Sequence, residues 1–457
     1  MSHDFGRLCS LLLAPQSLLT EPLSVEPYLR DATEFTATPL AVLRAESTED
    51  IATAVRYCSA NSLAITPRGA GTGLSGGCVA APNALVISAE NLKQLHIDPD
   101  KKLAICGAGV ITKDLEEAAV QFGLTYPPDP ASWKESTIGG NVAEGAGGLR
   151  CKRFGVTKDY VLGMKAVLHD GSILRTGLFN QNRGFNLGDL LISSEGTLAV
   201  IAEVAVRLTP PIERGATILV AFDRPVDAAQ TVSDITAAGI IPTVLEFLDG
   251  DAAACSNAYE KTEGLDNVAA LLLLETENHR RQDQATKIES ICRRNRCVFF
   301  RREDDASRAE ELWRIRRNLS KAIKQSAAYR ISEDVAVPNS KFPLLVDWVA
   351  DQNEKSPLRI NSFGHAGDGN LHVNFLAKDT GPSTMALIEE HIDRLMRLTL
   401  DLGGTITGEH GIGLAKKKYL SWEFDSATLR YMQTIKSVFD ADGRLNPDKL
   451  LDLPSGF

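Results

Sequence analysis

Residues 66–77, TPRGAGTGLSGG, place Gly69, Gly71, Gly73, Gly76 and Gly77 between two short β-like runs, LAIT (63–66) and ALVIS (84–88). Five residues without Cβ disfavour regular structure and let successive amide N–H groups converge on an anion. Gly71, Gly73 and Gly76 also spell G-x-G-x-x-G, but that dinucleotide fingerprint needs a helix starting at the loop to receive the pyrophosphate. Here the chain continues as GGCVAAPNALVIS, with Gly77, Pro82 and then a strand. The pattern argues against a doubly wound Rossmann domain. It predicts a strand–loop–strand cradle for a pyrophosphate, with Arg68, Thr72 and Ser75 as further donors. A flexible surface loop is the alternative, and such loops seldom join two apolar strands directly.

The rest of the first half is rich in short elements. STEDIATAVRYCSANS predicts a helix capped by Ser47 and Asp50, with Ile51, Ala54, Val55 and Cys58 at helical spacing. ITKDLEEAAVQFG predicts another, with Thr112 as N-cap and Gly123 past its end. Residues 132–148 form a second glycine-rich stretch of low periodicity, too long for an idle connection. The prolines of VRLTPPIERG (206–215) suggest a domain boundary, and 457 residues suffice for two or three domains. Beyond it the helices lengthen. SRAEELWRIRRNLSKAIKQSAA carries a Ser307/Glu310 capping box and an apolar stripe of Leu312, Ile315, Leu319 and Ile323. Arg316 and Ser320 stand four apart on the edge of that stripe and reach one pocket. STMALIEEHIDRLMRLTLDLGG predicts a long amphipathic helix ended by Gly403. The arginine-dense region 279–330 reads as a solvated face or a surface for a partner.

GHAGDGNLHVN (364–374) holds two of the eight histidines, seven residues apart. On a helix that spacing is roughly 10 Å, and on a single strand the two rings point to opposite faces. A turn at Gly367, Asp368, Gly369 and Asn370 brings His365 and His372 side by side on a hairpin. His372 and Asn374 then share one face, and Val373 and Phe375 the other. The residues alone leave two readings, imidazoles presented to a site or a polar hairpin with satisfied histidines.

Composition excludes several classes. A net charge of −10 argues against a nucleic-acid binder. The aliphatic run VAALLLL (268–274) is far too short to span a bilayer. LCSLLLA (8–14) comes after Asp4 and precedes no small-residue cleavage site, so no export signal is read. The eight scattered cysteines suggest reduced thiols in a cytoplasmic protein, with neither a disulfide framework nor a clustered iron–sulfur domain.

With TPRGAGTGLSGG, STIGGNVAEGAGG, SSEGTLAVI, GHAGDGNLHVN and TGEHGIGLAKK in this order, the chain resembles the FAD-dependent D-2-hydroxyacid dehydrogenases of the vanillyl-alcohol-oxidase superfamily. D-lactate and D-2-hydroxyglutarate dehydrogenases and the glycolate oxidase flavin subunit belong there, and the resemblance runs from about residue 37 to GRLNPDKLL (443–451). It implies an α+β fold. A PCMH-type FAD-binding domain of two subdomains (1–212) precedes a substrate and metal-binding domain (213–414) with a mostly antiparallel sheet flanked by helices. Residues 415–457 return to the FAD domain. By resemblance, Arg68, Gly69, Ala70, Gly71, Thr72, Gly73, Gly76 and Gly77 hold the pyrophosphate. Pro130, Ser132, Thr137, Gly139, Gly140, Asn141 and Ala143 line the flavin cleft. Glu195, Gly196 and Thr197 sit near the adenosine half, and Asn446 and Lys449 return to the cofactor. His365, His372 and Glu409 are the implied metal ligands, His410 the implied base, and Arg316, Ser320 and Asn374 the implied substrate contacts. Two departures stand out. Ala199 replaces a common glycine, and no lysine occupies the region of Ser332, where some relatives bind substrate. Arg330, on the same face of a strand, is a substitute. No histidine lies in the glycine loop, so non-covalent FAD is expected.

The chemistry accounts for the company these groups keep. An alcohol lies roughly nine pK units above an ordinary histidine, about 12 kcal/mol at 1.36 per unit. A metal touching the hydroxyl recovers much of that, as for bound water, whose pKa falls from 15.7 to ~7. Two imidazoles and a carboxylate suit Zn²⁺, with Mn²⁺ or Fe²⁺ as alternatives. The implied reaction is oxidation of a small D-2-hydroxyacid to the 2-oxoacid. Its electrons pass to a non-NAD acceptor, namely an electron-transfer flavoprotein, a quinone-linked partner or a cytochrome. The chain would act as a homodimer or a complex subunit, with no nucleic acid and no membrane span. A zinc hydrolase would leave the glycine loops unexplained. A flavin electron-transfer subunit would leave Arg316, Glu409 and His410 idle.

Overall fold

The computed structural model describes residues 5–180, 184–261 and 267–451. The chain divides into two compact units, one of residues 1–148, 155–212 and 409–457, the other of 149–154 and 213–408.

In the first unit, strands Ala41–Arg44, Ala84–Ser88 and Ala64–Arg68 run parallel in that order, with Leu18–Leu19 antiparallel at the edge. Every residue of ALVIS is buried, as expected of a central parallel strand. Because Ala64–Arg68 and Ala84–Ser88 are parallel, residues 69–83 must carry the chain back along the sheet, and they do so without a helix. That is the strand–loop–strand cradle expected from the glycines. A second, antiparallel sheet orders Leu95–Asp98, Leu103–Gly107, Val200–Arg207, Val161–Val167 and Ile173–Arg175. Both sheets share a core that includes Leu43, Ile65, Leu85, Ala104, Ile138, Met164 and Val204. Helix Thr48–Ala60 starts at Ser47, whose hydroxyl accepts the Asp50 amide.

Three local expectations change. Thr112 is the first residue of helix Thr112–Val120, not its cap, and its hydroxyl meets Ser136 and Asn141 instead. Helix Ala306–Gln325 is capped by Asp305, which accepts the amides of Ser307 and Arg308, so no Ser307/Glu310 box forms. The aperiodic stretch after Ser132 contains a helix, Ile138–Glu144, capped by Thr137 and closed by Gly145 at φ +67°. Its glycines conceal it from any search for an apolar period.

The second unit is a seven-stranded antiparallel sheet, in the order Phe299–Glu303, Arg214–Phe222, Ala270–Glu277, Val244–Asp249, Arg359–Gly364, Asn370–Ala377, Tyr329–Ala336. Helices Gly250–Tyr259 and Ala306–Gln325 pack on one face through Leu312, Ile315, Leu319 and Ile323 against Leu219, Leu271 and Leu273. The alternate residues Ile218, Val220, Leu272 and Leu274 are equally buried. Both faces are therefore covered, which is why Ala270–Leu274 is continuously apolar. Among the described residues no helix is long and apolar enough to cross a membrane.

Residues 409–451 belong to the first unit, so the boundary falls at Gly408 and not at 414. Glu195 is one tie, since its carboxylate accepts the amides of Ile412 and Gly413 at 2.7 Å each.

Candidate active site

In the first unit, three distant segments meet at the glycine loop. Asn446 donates its amide to the Gly77 and Glu195 carbonyls, 2.7 and 2.8 Å away. The Ser75 carbonyl accepts the Leu414 amide. Gly69 needs its missing Cβ, which would lie 2.5 Å from the Thr137 hydroxyl. The Glu195 amide donates to the Ala143 carbonyl, tying the stretch after Ser132 to Glu195, Gly196 and Thr197. The loop, Thr137–Ala143, Glu195 and Asn446 are thus brought together as expected. Pro130 is buried and Ser132 half-buried at the head of the same stretch.

Arg68, expected as a donor, and Asn141, expected to line the flavin cleft, both make hydrogen bonds within the protein. The Arg68 guanidinium donates to the Arg30, Pro27 and Cys78 carbonyls and presses against Gly71, so it stiffens the loop from behind. Asn141 donates to Thr112 at 2.7 Å. Several buried polar atoms suit a polar ligand here: Ser75 Oγ, Asn446 Oδ1 and Glu144 Oε2 have no hydrogen-bond partner among the described residues. Glu144, an acidic residue with no motif of its own, lies beside Gly77 and Gly411. Burial, then Glu195 and Asp31, push its carboxyl well above the usual range. A neutral carboxyl there donates a hydrogen bond and does not repel a phosphate. The buried Lys449 amine is pushed down to about 8 by burial, an effect that Asp448, Cys78 and Asp31 partly offset.

In the second unit the expected hairpin forms. Strands Arg359–Gly364 and Asn370–Ala377 flank a turn that ends at Gly369, φ +73°. The rings of His365 and His372 stand 5.6 Å apart and nearly perpendicular, with ligand atoms within 4.8 Å. Each is backed by a fully buried carboxylate that the sequence does not single out. Glu246 contacts His365 Nδ1 at 2.6 Å, and Asp334 lies 3.5 Å from His372 Nδ1. An imidazole held at Nδ1, as His365 is by Glu246, leaves Nε2 for a cation, the usual outer support of a metal site. Asp334 also accepts the amide of Gly408 at 2.8 Å and the hydroxyl of Thr407. A side chain at Gly408 would strike Asn370. Glu409 and His410 come directly after it in the chain.

The same face carries the expected substrate contacts. Arg316 donates to Glu246 at 2.5 Å, so one carboxylate joins it to His365. Burial pushes the Glu246 carboxyl up, but His365 and Arg316 outweigh it and hold the group below its ordinary range. Asn374 accepts from Arg330 Nε at 2.7 Å and donates to Asn361 at 2.8 Å, so both ends of its amide are engaged. Arg330 also reaches Ser320 and Ser332. Arg316, Ser320, Asn374 and Arg330 are therefore brought together. Glu246 is a lone polar residue within an apolar run, and Asp334 and Asn361, among other polar residues of their strands, leave no sequence signal.

Residues 39–177 match a family described as an FAD binding domain, and residues 212–450 one described as FAD linked oxidases, C-terminal domain. The chain is 38% identical to glycolate oxidase subunit GlcD of Bacillus subtilis (strain 168), over 93% of this chain and 91% of that protein. It is 31% identical to a D-lactate dehydrogenase of Anaerostipes hadrus, over 96% and 95%. A solved structure of p-cresol methylhydroxylase with substrate bound covers 99% of this chain and 98% of its own at a TM-score of 0.80 and 13% identity, a likeness of fold. The α+β, PCMH-type architecture agrees with these matches, and the chain belongs to the FAD-linked oxidases and is an FAD-dependent oxidoreductase.

Proposed function

We propose that the protein oxidises a D-2-hydroxyacid, of the class of D-lactate, glycolate or D-2-hydroxyglutarate, to the 2-oxoacid, with a divalent metal at His365, His372 and Glu409. The observation that carries this reading is the pair of adjacent imidazoles, each backed by a buried carboxylate, beside a cluster of arginine and amide side chains. Chain connectivity supports Glu409 as third ligand: Gly408, held by Asp334, lies one residue before it. The names of the two relatives support the substrate class. Bound FAD would supply the acceptor for the C2 hydride, and a divalent cation held by His365, His372 and Glu409, Zn²⁺ or else Mn²⁺ or Fe²⁺, would supply the acidity of the hydroxyl. His410 takes the hydroxyl proton, and the guanidinium groups of Arg316 and Arg330, with Ser320, orient the carboxylate. Electrons leave to a non-NAD acceptor, either an electron-transfer flavoprotein, a quinone-linked partner or a cytochrome.

The test is anaerobic bleaching of bound flavin by a panel of D- and L-2-hydroxyacids, beside elemental analysis of the same preparation. We expect D-isomers or glycolate to bleach it, and about one metal per chain, as a single ligand trio requires. A flavin that no 2-hydroxyacid reduces would overturn the reading.

A further inference from the structure

Four cations stand near the proposed substrate contacts, and they differ in what compensates them. Arg316 is paired with buried Glu246. Arg317 is exposed and paired with Glu310. Lys321 is exposed and about 100° around the helix from Ser320. Arg330 is different. Its Nε donates to Asn374, its Nη1 to the Ser320 carbonyl and hydroxyl at 3.3 and 3.2 Å, and its Nη2 to the Ser332 hydroxyl at 3.3 Å. All four acceptors are neutral, and no carboxylate among the described residues pairs with it.

That guanidinium is nonetheless held in place. Asn374 is oriented by Asn361, which donates to Asp251 at 2.8 Å, and Asp251 is paired with Arg359. The register agrees, since Asn374 faces Ser332 on one side and Asn361 on the other. Burial pushes Arg330 down to about 10, so it remains charged at neutral pH. A partly buried charge with only neutral partners costs free energy that an arriving anion offsets.

Resting on the hydroxyacid reading, we propose that Arg330 is the receptor for the substrate carboxylate and that the site prefers 2-hydroxyacids with one carboxylate over dicarboxylates. Arg316, neutralised by Glu246 and joined through it to His365, then contributes hydrogen-bond geometry to the carboxylate but no free charge. One partly buried, uncompensated cation matches one carboxylate; of the other three, Arg316 and Arg317 are already paired with carboxylates and Lys321 is exposed on another face of the helix.

The test uses the holoprotein and two 2-oxoacids that bind without turnover, pyruvate and 2-oxoglutarate. Binding is read from the perturbed flavin spectrum and from the ligand-induced rise in melting temperature. We expect pyruvate to bind more tightly than 2-oxoglutarate. Arg330→Gln should weaken pyruvate by roughly 10–100-fold, the loss of a charge-assisted hydrogen bond, with FAD and metal content unchanged. Arg330→Lys should recover part of that loss, which a merely structural role would not predict. Unchanged pyruvate affinity in Arg330→Gln overturns the receptor role. Tighter binding of 2-oxoglutarate than pyruvate by the wild type overturns the single-carboxylate preference. If Arg330→Gln does not fold, Arg330→Lys binding pyruvate as tightly as wild type overturns the receptor role. The two readings fail separately: if no 2-hydroxyacid bleaches the flavin yet pyruvate binds through Arg330, the function fails and the receptor stands.

Discussion

Glu409 and His410 are a carboxylate and an imidazole one residue apart, and their loss should leave different signatures. If Glu409 is a metal ligand, Glu409→Ala leaves two imidazoles and lowers metal content together with activity. If His410 is the base, His410→Ala keeps metal and FAD yet reduces its flavin ~10²–10⁴-fold more slowly. Added divalent metal should partly rescue the first variant and not the second. Elemental analysis beside anaerobic flavin reduction checks this, and metal loss confined to His410→Ala reverses the two roles. At this scale the sequence announces chemistry by residue type and stays silent on partners. His365 and His372 are legible because glycines flank them. Glu246 and Asp334, which hold them, are not, because a buried carboxylate in a strand looks like any polar residue until its neighbour across the sheet is known. Arg68 shows the same limit: its type suggests a phosphate, and nothing in the sequence announces the carbonyls it donates to.

Elements with a strict period are legible in the sequence, and those without one are not. The hairpin at 359–377 and the stripe on Ala306–Gln325 keep periods of two and 3.6 residues. Helix Ile138–Glu144 does not, since glycines and a cap supplied by Thr137 replace an apolar stripe. The C-terminal segment has no period either. It is held by pairing of Ile65 with Leu445 and by Asn446, contacts separated by hundreds of residues in sequence. Lys449 ends that segment and supplies a test of its contact with FAD. Its amine, pushed down to about 8 by burial, is charged below that pH before the cofactor arrives. Above it, binding the pyrophosphate must draw a proton from solution. FAD affinity of the apoprotein should then fall by up to about tenfold per pH unit above pH 8. Titration of apoprotein with FAD at pH 7, 8 and 9 measures the slope, which Lys449→Met should abolish. An equal slope in the variant rejects the contact.

Across the whole molecule, the order of motifs carries more than any one of them, because a lone G-x-G-x-x-G points to the wrong fold until its context removes the helix. The return of residues 409–451 to the first unit is legible only by resemblance, since no local rule connects Asn446 to Gly77. The segments proposed to hold FAD therefore come from residues 68–77, 137–143, 195–197 and 446–449, the beginning, middle and end of one compact unit. No histidine or cysteine lies within 68–77, so nothing in that loop can bond covalently to flavin. FAD should stay with the native protein on a desalting column and pass the filter once the chain is denatured. Because it binds the folded unit and not the unfolded chain, free FAD at 100 times its Kd should stabilise the protein by about 2.7 kcal/mol. The rise in Tm on adding FAD to apoprotein measures that gain. Flavin that remains on the denatured polypeptide, or an apoprotein whose Tm ignores FAD, would reject a non-covalent cofactor held by these four segments.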